Sequence, residues 1–420
     1  MGKCISLGEY NKQYKYIWIY LIIRFIYLFV FPNQLMFDQI KTEVLNLPYG
    51  PFISSQFNYL VYIIISAIII IINKYRKKKE RNNSLIKRKI TFNVNIRKIH
   101  VISNDYSLYI NLIFVVVVKD LFDETTYKFG CTFLSYWMFE MLYYELIHSK
   151  YFKTKIYRHH WFSLIFILVS CSILKTIYII LNLSEDTEDY TFFESRKWLI
   201  PVSIIIYFIY RVSRVFIICN EKYYFEKKTI PLMNYILLYG IYGLIITGIG
   251  ALIPSFIPCG DDTLPELSKK VCDYVDNNQN YYFDSYKIFF NTLYSEYFAS
   301  KLILLFVKSI LIFGSTYYIY AIYQKLSPIY YICMHRLDAL IVTVLAFINQ
   351  LINNKIEGIN ITIKIVDILI SFFYILGSIV YLEFIELNFC KLYFYTKRNI
   401  QGRSLIDSLI SLDDISSKSE

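Results

Sequence analysis

FNYLVYIIISAIIIIIN, residues 57–73, runs directly into KYRKKKERNNSLIKRK, residues 74–89, and this junction decides the fold class. The first stretch carries no charged side chain. About 20 such residues are what a helix needs to cross roughly 30 Å of hydrocarbon, where only a helix or a closed barrel satisfies its own backbone. The second stretch is a block of Lys and Arg of the kind retained on the cytoplasmic face of a membrane.

Outward from that junction, ten apolar stretches are spaced along the chain: residues 16–31, 57–73, 106–118, 129–147, 161–181, 198–219, 230–257, 300–323, 329–349 and 361–383. The third is short and the fourth carries Glu140 and Glu145. Losing both leaves eight and preserves every later orientation. Composition agrees: the 420 residues are 56% hydrophobic with mean hydropathy +0.41, and 18% charged against roughly 25% for a soluble domain. The reading is an all-α, polytopic transmembrane helix bundle of about ten helices with both termini cytoplasmic. Residues 1–15 form an inner tail, 16–383 the transmembrane domain, 258–299 its longest outer loop and 384–420 an inner C-terminal tail.

Charge placement supports that orientation independently. The segments assigned to the inside hold 27 Lys and Arg, those assigned to the outside 9. The net charge of +11 lies in short gaps between apolar runs, so nucleic acid is excluded as a partner in favour of the lipid bilayer. Residues 74–98 are expected on anionic inner-leaflet lipid, where each basic side chain contributes about 1 kcal/mol. The first apolar run has no small-residue cleavage site after FVFPNQLMF and reads as an uncleaved helix. The membrane is the plasma membrane or an endomembrane.

Three modification patterns fall where this orientation allows them. Met1-Gly2-Lys3-Cys4-Ile5-Ser6 fits N-myristoylation at Gly2 with palmitoylation at Cys4 beside it, although a many-span protein needs no such anchor. Cys259 and Cys272 both lie in the outer loop and are expected to form a disulfide. Asn182 and Asn360 head glycosylation acceptor triplets close to predicted helix ends.

Ionisable residues inside apolar spans are the sharpest functional clue, because a charge in hydrocarbon must be paired or hydrated. Glu140, Lys308, Arg336 and Asp338 lie deepest and form the candidate substrate path; Arg211 and Lys175 lie less deep. Arg336 and Asp338 are turned about 200° apart on a helix, so each is expected to meet a different neighbour. Interhelical salt bridges that fix packing are the alternative reading. In the seventh span, GIYGLIITGIGALIP (residues 240–254), Gly243, Thr247 and Ala251 make a small-residue stripe suited to close helix contact.

Enzyme chemistry has no support in the motifs. The sequence has no HExxH pair, no Gly-rich phosphate loop, no His-box series and no paired Asp motif of an intramembrane protease. His148, His159 and His160 gather at one helix boundary, open to a metal or acyl-transfer role or to a merely polar one. No catalytic residue, metal or cofactor is assigned. A transporter of a small-molecule substrate is the leading reading; a receptor or scaffold that presents the outer loop, or an intramembrane lipid-modifying enzyme, stands beside it.

Two resemblances accompany this reading. The segment Glu383-Phe384-Ile385-Glu386-Leu387-Asn388-Phe389-Cys390, with Thr396-Lys397-Arg398-Asn399-Ile400 after it, resembles the C-terminal end of uncharacterised multi-pass proteins of AT-rich eukaryotes. The ten-helix plan with both ends inside resembles the drug/metabolite transporters, which implies two inverted five-helix halves.

Overall fold

The computed structural model describes residues 7–30, 51–87, 106–122, 137–184, 199–257, 274–275, 281–294, 298–352 and 359–384. Gly2, Cys4, Cys259 and Cys272 lie outside the described residues, as do residues 88–98 of the basic segment. The helices are α1 (Leu7–Val30), α2 (Pro51–Lys87), α3 (Tyr106–Val116), α4 (Phe139–Phe152), α5 (Arg158–Ser184) and α6 (Leu199–Glu226). They continue with α7 (Leu232–Phe256), α8 (Tyr286–Tyr294), α9 (Phe298–Lys325), α10 (Pro328–Ile352) and α11 (Ile359–Tyr381). A π-helical turn, Val117–Phe122, follows α3, and a two-residue antiparallel ladder pairs β1 (Tyr274–Val275) with β2 (Tyr281–Tyr282).

Among the described residues, six helical segments are long and apolar enough to cross a membrane: Phe52–Lys77, Arg158–Asn182, Leu232–Phe256, Phe298–Lys325, Pro328–Ile352 and Asn360–Tyr381. Their free faces are rows of large aliphatic side chains, such as Ile64, Ile68, Ile71 and Ile72 on α2 and Ile245, Ile249 and Ile253 on α7. Apolar surface of that extent is compatible with contact to lipid, so the chain is a membrane-embedded helical protein. At 1.5 Å per residue, α3 and α4 span only about 16 and 21 Å, short of the hydrocarbon core.

The helices gather in two compact units. The first takes residues 1–21, 133–219 and 325–420; the second takes 22–132 and 220–324. In the second unit α2 packs along α7, the most extensive helix contact among the described residues. The small-residue stripe makes it: Gly243 lies against the Tyr59 ring, the Thr247 carbonyl accepts from Gln56 at 3.3 Å, and Ala251 joins a cluster with Phe52 and Ile53. A Cβ on Gly243 would fall inside the Tyr59 ring, and one on Gly240 would meet the Tyr59 carbonyl oxygen at 3.2 Å. Pro51 opens α2, where its missing N–H costs nothing, and buried Asp284 accepts from the next two amides, Phe52 at 2.9 Å and Ile53 at 3.2 Å.

In the first unit α5 packs along α11 through side chains spaced four apart. His159 Nε2 meets the Val380 carbonyl at 2.6 Å, Ser163 donates to Gly377 at 2.5 Å, Ile167 fills the space that a Cβ on Gly377 would need, and Cys171 points to the Ile370 carbonyl. Each donor is directed at a backbone carbonyl of α11, and at Gly377 the missing side chain also admits Ile167.

Three expectations change. The basic segment from residue 74 is helical as far as Lys87, because Lys, Arg and Glu are good helix formers and no Gly or Pro interrupts them. The outer loop 258–299 contains β1, β2 and α8, with Phe289 and Leu293 packed on Phe52 and Leu305. Lys119, assigned to an outer segment, contacts Glu221, assigned to an inner one, at 3.1 Å. Two side chains in contact cannot lie on opposite faces of a bilayer, so the two assignments are not both kept.

Replacing Gly243 with Ala is expected to destabilise the protein by about 1–3 kcal/mol in detergent thermal unfolding, by forcing the Tyr59 ring aside. Gly248→Ala, where a Cβ meets nothing within 4 Å, is expected to cause no loss of stability and to gain up to about 1 kcal/mol from helix propensity. Equal losses at both positions would contradict this packing.

Candidate functional site

The densest buried charge lies in the first unit, around Glu140 in the opening turn of α4. Arg211 and Arg214 are three residues apart on α6 and therefore share a face. Arg211 Nη1 stands 3.2 Å from Glu140 Oε2, and Arg214 Nε 3.4 Å from Oε1. Arg336 of α10 brings Nη2 to 3.7 Å from the same Oε2, outside hydrogen-bond range. The carboxylate side chain is 3% exposed and the three guanidinium groups 11–14%.

Aromatic rings wall this cluster. The Arg336 guanidinium lies 3.8 Å from the centroid of Trp137, a cation–π stack, and Trp137 meets Tyr374 of α11 edge to face at 5.0 Å. A stacked guanidinium keeps its N–H edge free in its own plane. Three buried groups here have no hydrogen-bond partner among the described residues: Arg211 Nε, Arg336 Nη2 and the Tyr374 hydroxyl. The arrangement is thus rich in cationic donors and short of acceptors. It can hold a negatively charged group.

The sequence-derived path divides. Glu140 and Arg336 come together, joined by Arg211 and Arg214. Asp338 is buried on α10, while Lys308 is half-buried on α9 in the second unit and takes no part in this cluster. Arg336 does meet a different helix, α4, as its separation from Asp338 implied. Lys175, buried on α5, lies in the field of Asp367 on α11. Trp137 and Tyr374 had no signal in the sequence beyond being aromatic.

A second polar network was missed entirely. Lys119 bridges to Glu221, which is fully buried and accepts from the Tyr235 hydroxyl at 3.1 Å; Lys119 also lies 5.3 Å from the Tyr320 ring centroid. Lys222 reaches Glu226 at 2.6 Å and the Tyr323 carbonyl at 2.8 Å. Charges are matched one to one here. The available signal was Glu221 itself, an acidic residue at the end of an apolar helix.

The histidines separate into packing roles. His159 bonds the Val380 carbonyl, His160 stacks on Tyr381 at 4.5 Å beside Glu383, and His148 stacks between Tyr144 and Phe152. Asn182 lies in the last turn of α5 with its amide on the Tyr178 carbonyl, and Asn360 is exposed in the first turn of α11.

Glu140→Gln leaves buried guanidinium groups without their carboxylate, a change expected to destabilise the fold by about 3–5 kcal/mol in thermal unfolding. In a double-mutant cycle, adding Arg214→Gln is expected to recover part of that loss; strict additivity would contradict a direct pair. No protein-family model matches this chain, and no curated protein sequence matches it significantly.

Proposed function

We propose that this protein carries a small polar solute across its membrane. The observation that supports this reading is the Glu140, Arg211, Arg214 and Arg336 cluster: charge inside a helical membrane protein is costly and marks solute and ion paths, and Arg211 and Arg336 share the single Glu140 carboxylate.

The pairing of helices favours the same reading. Taking α1 to α5 as one half and α6, α7, α9, α10 and α11 as the other, α2 packs on its counterpart α7 and α5 on its counterpart α11. Each compact unit draws helices from both halves. Two five-segment halves of opposite orientation would pair in this way, and carriers of that plan bind solute between such repeats. In this proposal all ten segments belong to the membrane domain, α3 and α4 enter it as short helices, both termini are cytoplasmic, and residues 74–98 rest on anionic lipid.

A carrier must open its site to each side in turn. In a variant that keeps Cys333, one turn before Arg336 on α10, as its sole cysteine, a membrane-impermeant methanethiosulfonate is expected to label from both faces. Right-side-out and inside-out vesicles make the comparison. Labelling from one face alone, or from neither, would contradict carriage.

A further inference from the structure

We infer that the cluster on α4, α6, α10 and α11 is a binding site for an oxyanion, the phosphate or carboxylate group of the solute. This names the solute class for the carrier reading and rests on that reading only for transport.

Charge is the first ground. Glu140 is the one carboxylate within ion-pair distance of both Arg211 and Arg336 among the described residues, and it also serves Arg214. One carboxylate cannot neutralise both Arg211 and Arg336, and an uncompensated buried charge is strongly unfavourable. The Lys119–Glu221 and Lys222–Glu226 pairs of the second unit show no such excess.

Unfilled hydrogen bonds are the second, independent ground. Arg211 Nε, Arg336 Nη2 and the Tyr374 hydroxyl are buried donors without acceptors, and the Tyr374 side chain is fully buried. Buried donors in native proteins are almost always satisfied. Water would supply acceptors but no charge; an oxyanion supplies both. Trp137 holds the Arg336 face, so the N–H edge of Arg336 remains free for the planar, two-point contact by which arginine binds carboxylate and phosphate.

The full-length protein, purified in neutral detergent without phosphate, provides the test. Inorganic phosphate, titrated at constant ionic strength against chloride, is expected to raise the unfolding midpoint saturably. Arg336→Gln is expected to weaken half-saturation at least about tenfold, the loss of a charge-assisted hydrogen bond. Lys155→Gln, which removes an exposed charge, is expected to change nothing. Should Arg336→Gln not fold, Arg336→Lys, which keeps the charge but loses the fork, makes the same comparison. Glu140→Gln is expected to unfold earlier without phosphate and to regain much of that loss with it.

A parallel titration with phosphatidic acid separates the sources. A shift with lipid alone assigns the oxyanion to a headgroup, which keeps the site and removes the carrier. A phosphate shift without solute uptake into proteoliposomes does the same. No shift with either probe, or equal shifts in the wild type and Arg336→Gln, overturns the inference.

Discussion

Three guanidinium groups converge on the Glu140 carboxylate, and the first unit is organised by the need to keep that charge satisfied away from water. The carboxylate fixes α4 against α6 and α10 by ion pairs of 3.2 to 3.7 Å. Trp137, just before α4, then extends the contact through its ring to Tyr374 on α11. From α11 the chain of contacts continues to α5 through His159, Ser163 and Cys171, each directed at a backbone carbonyl. Lipid offers no hydrophobic drive between helices, so electrostatics, small residues and carbonyl acceptors do the holding.

The second unit solves the same problem with less charge. Its main contact is steric: Gly240 and Gly243 admit Tyr59 and Ile63 of α2, and Thr247 keeps its hydroxyl on the Gly243 carbonyl. Polar groups are closed off in matched pairs around Glu221 and Lys222. Asp284 caps the first amides of α2 from more than two hundred residues away. Among the described residues, the buried orphan donors that belong to charged side chains, Arg211 Nε and Arg336 Nη2, lie in the first unit.

Much of this was legible in the sequence, for reasons that differ by residue. The apolar runs announced helices because only intrahelical hydrogen bonding suits hydrocarbon, and the stripe of Gly243, Thr247 and Ala251 announced a close contact because small residues at that spacing share a face. Glu140 and Arg336 were marked by the cost of burying charge. Their partnership was not, since about two hundred residues separate them and periodicity reports only on neighbours within a helix. Arg211 and Arg214 could have been promoted, being three apart on one face of an apolar span. Lys119 and Glu221 were assigned to opposite sides because counting charges by segment assumes that every apolar run crosses completely, and their 3.1 Å contact is incompatible with that pair of assignments. Tyr374 and Trp137 were invisible among 42 tyrosines and 4 tryptophans, where composition carries no position.

The central claim is that the cluster binds a charged ligand and is not a closed salt bridge. An experimental density map of the protein prepared in phosphate measures this most directly. The account predicts non-protein density within hydrogen-bond distance of Arg336 Nη2 and the Tyr374 hydroxyl, with Arg336 still stacked on Trp137. Arg211 and Arg336 fully hydrogen-bonded to protein acceptors, with no density between them and Tyr374, would contradict it.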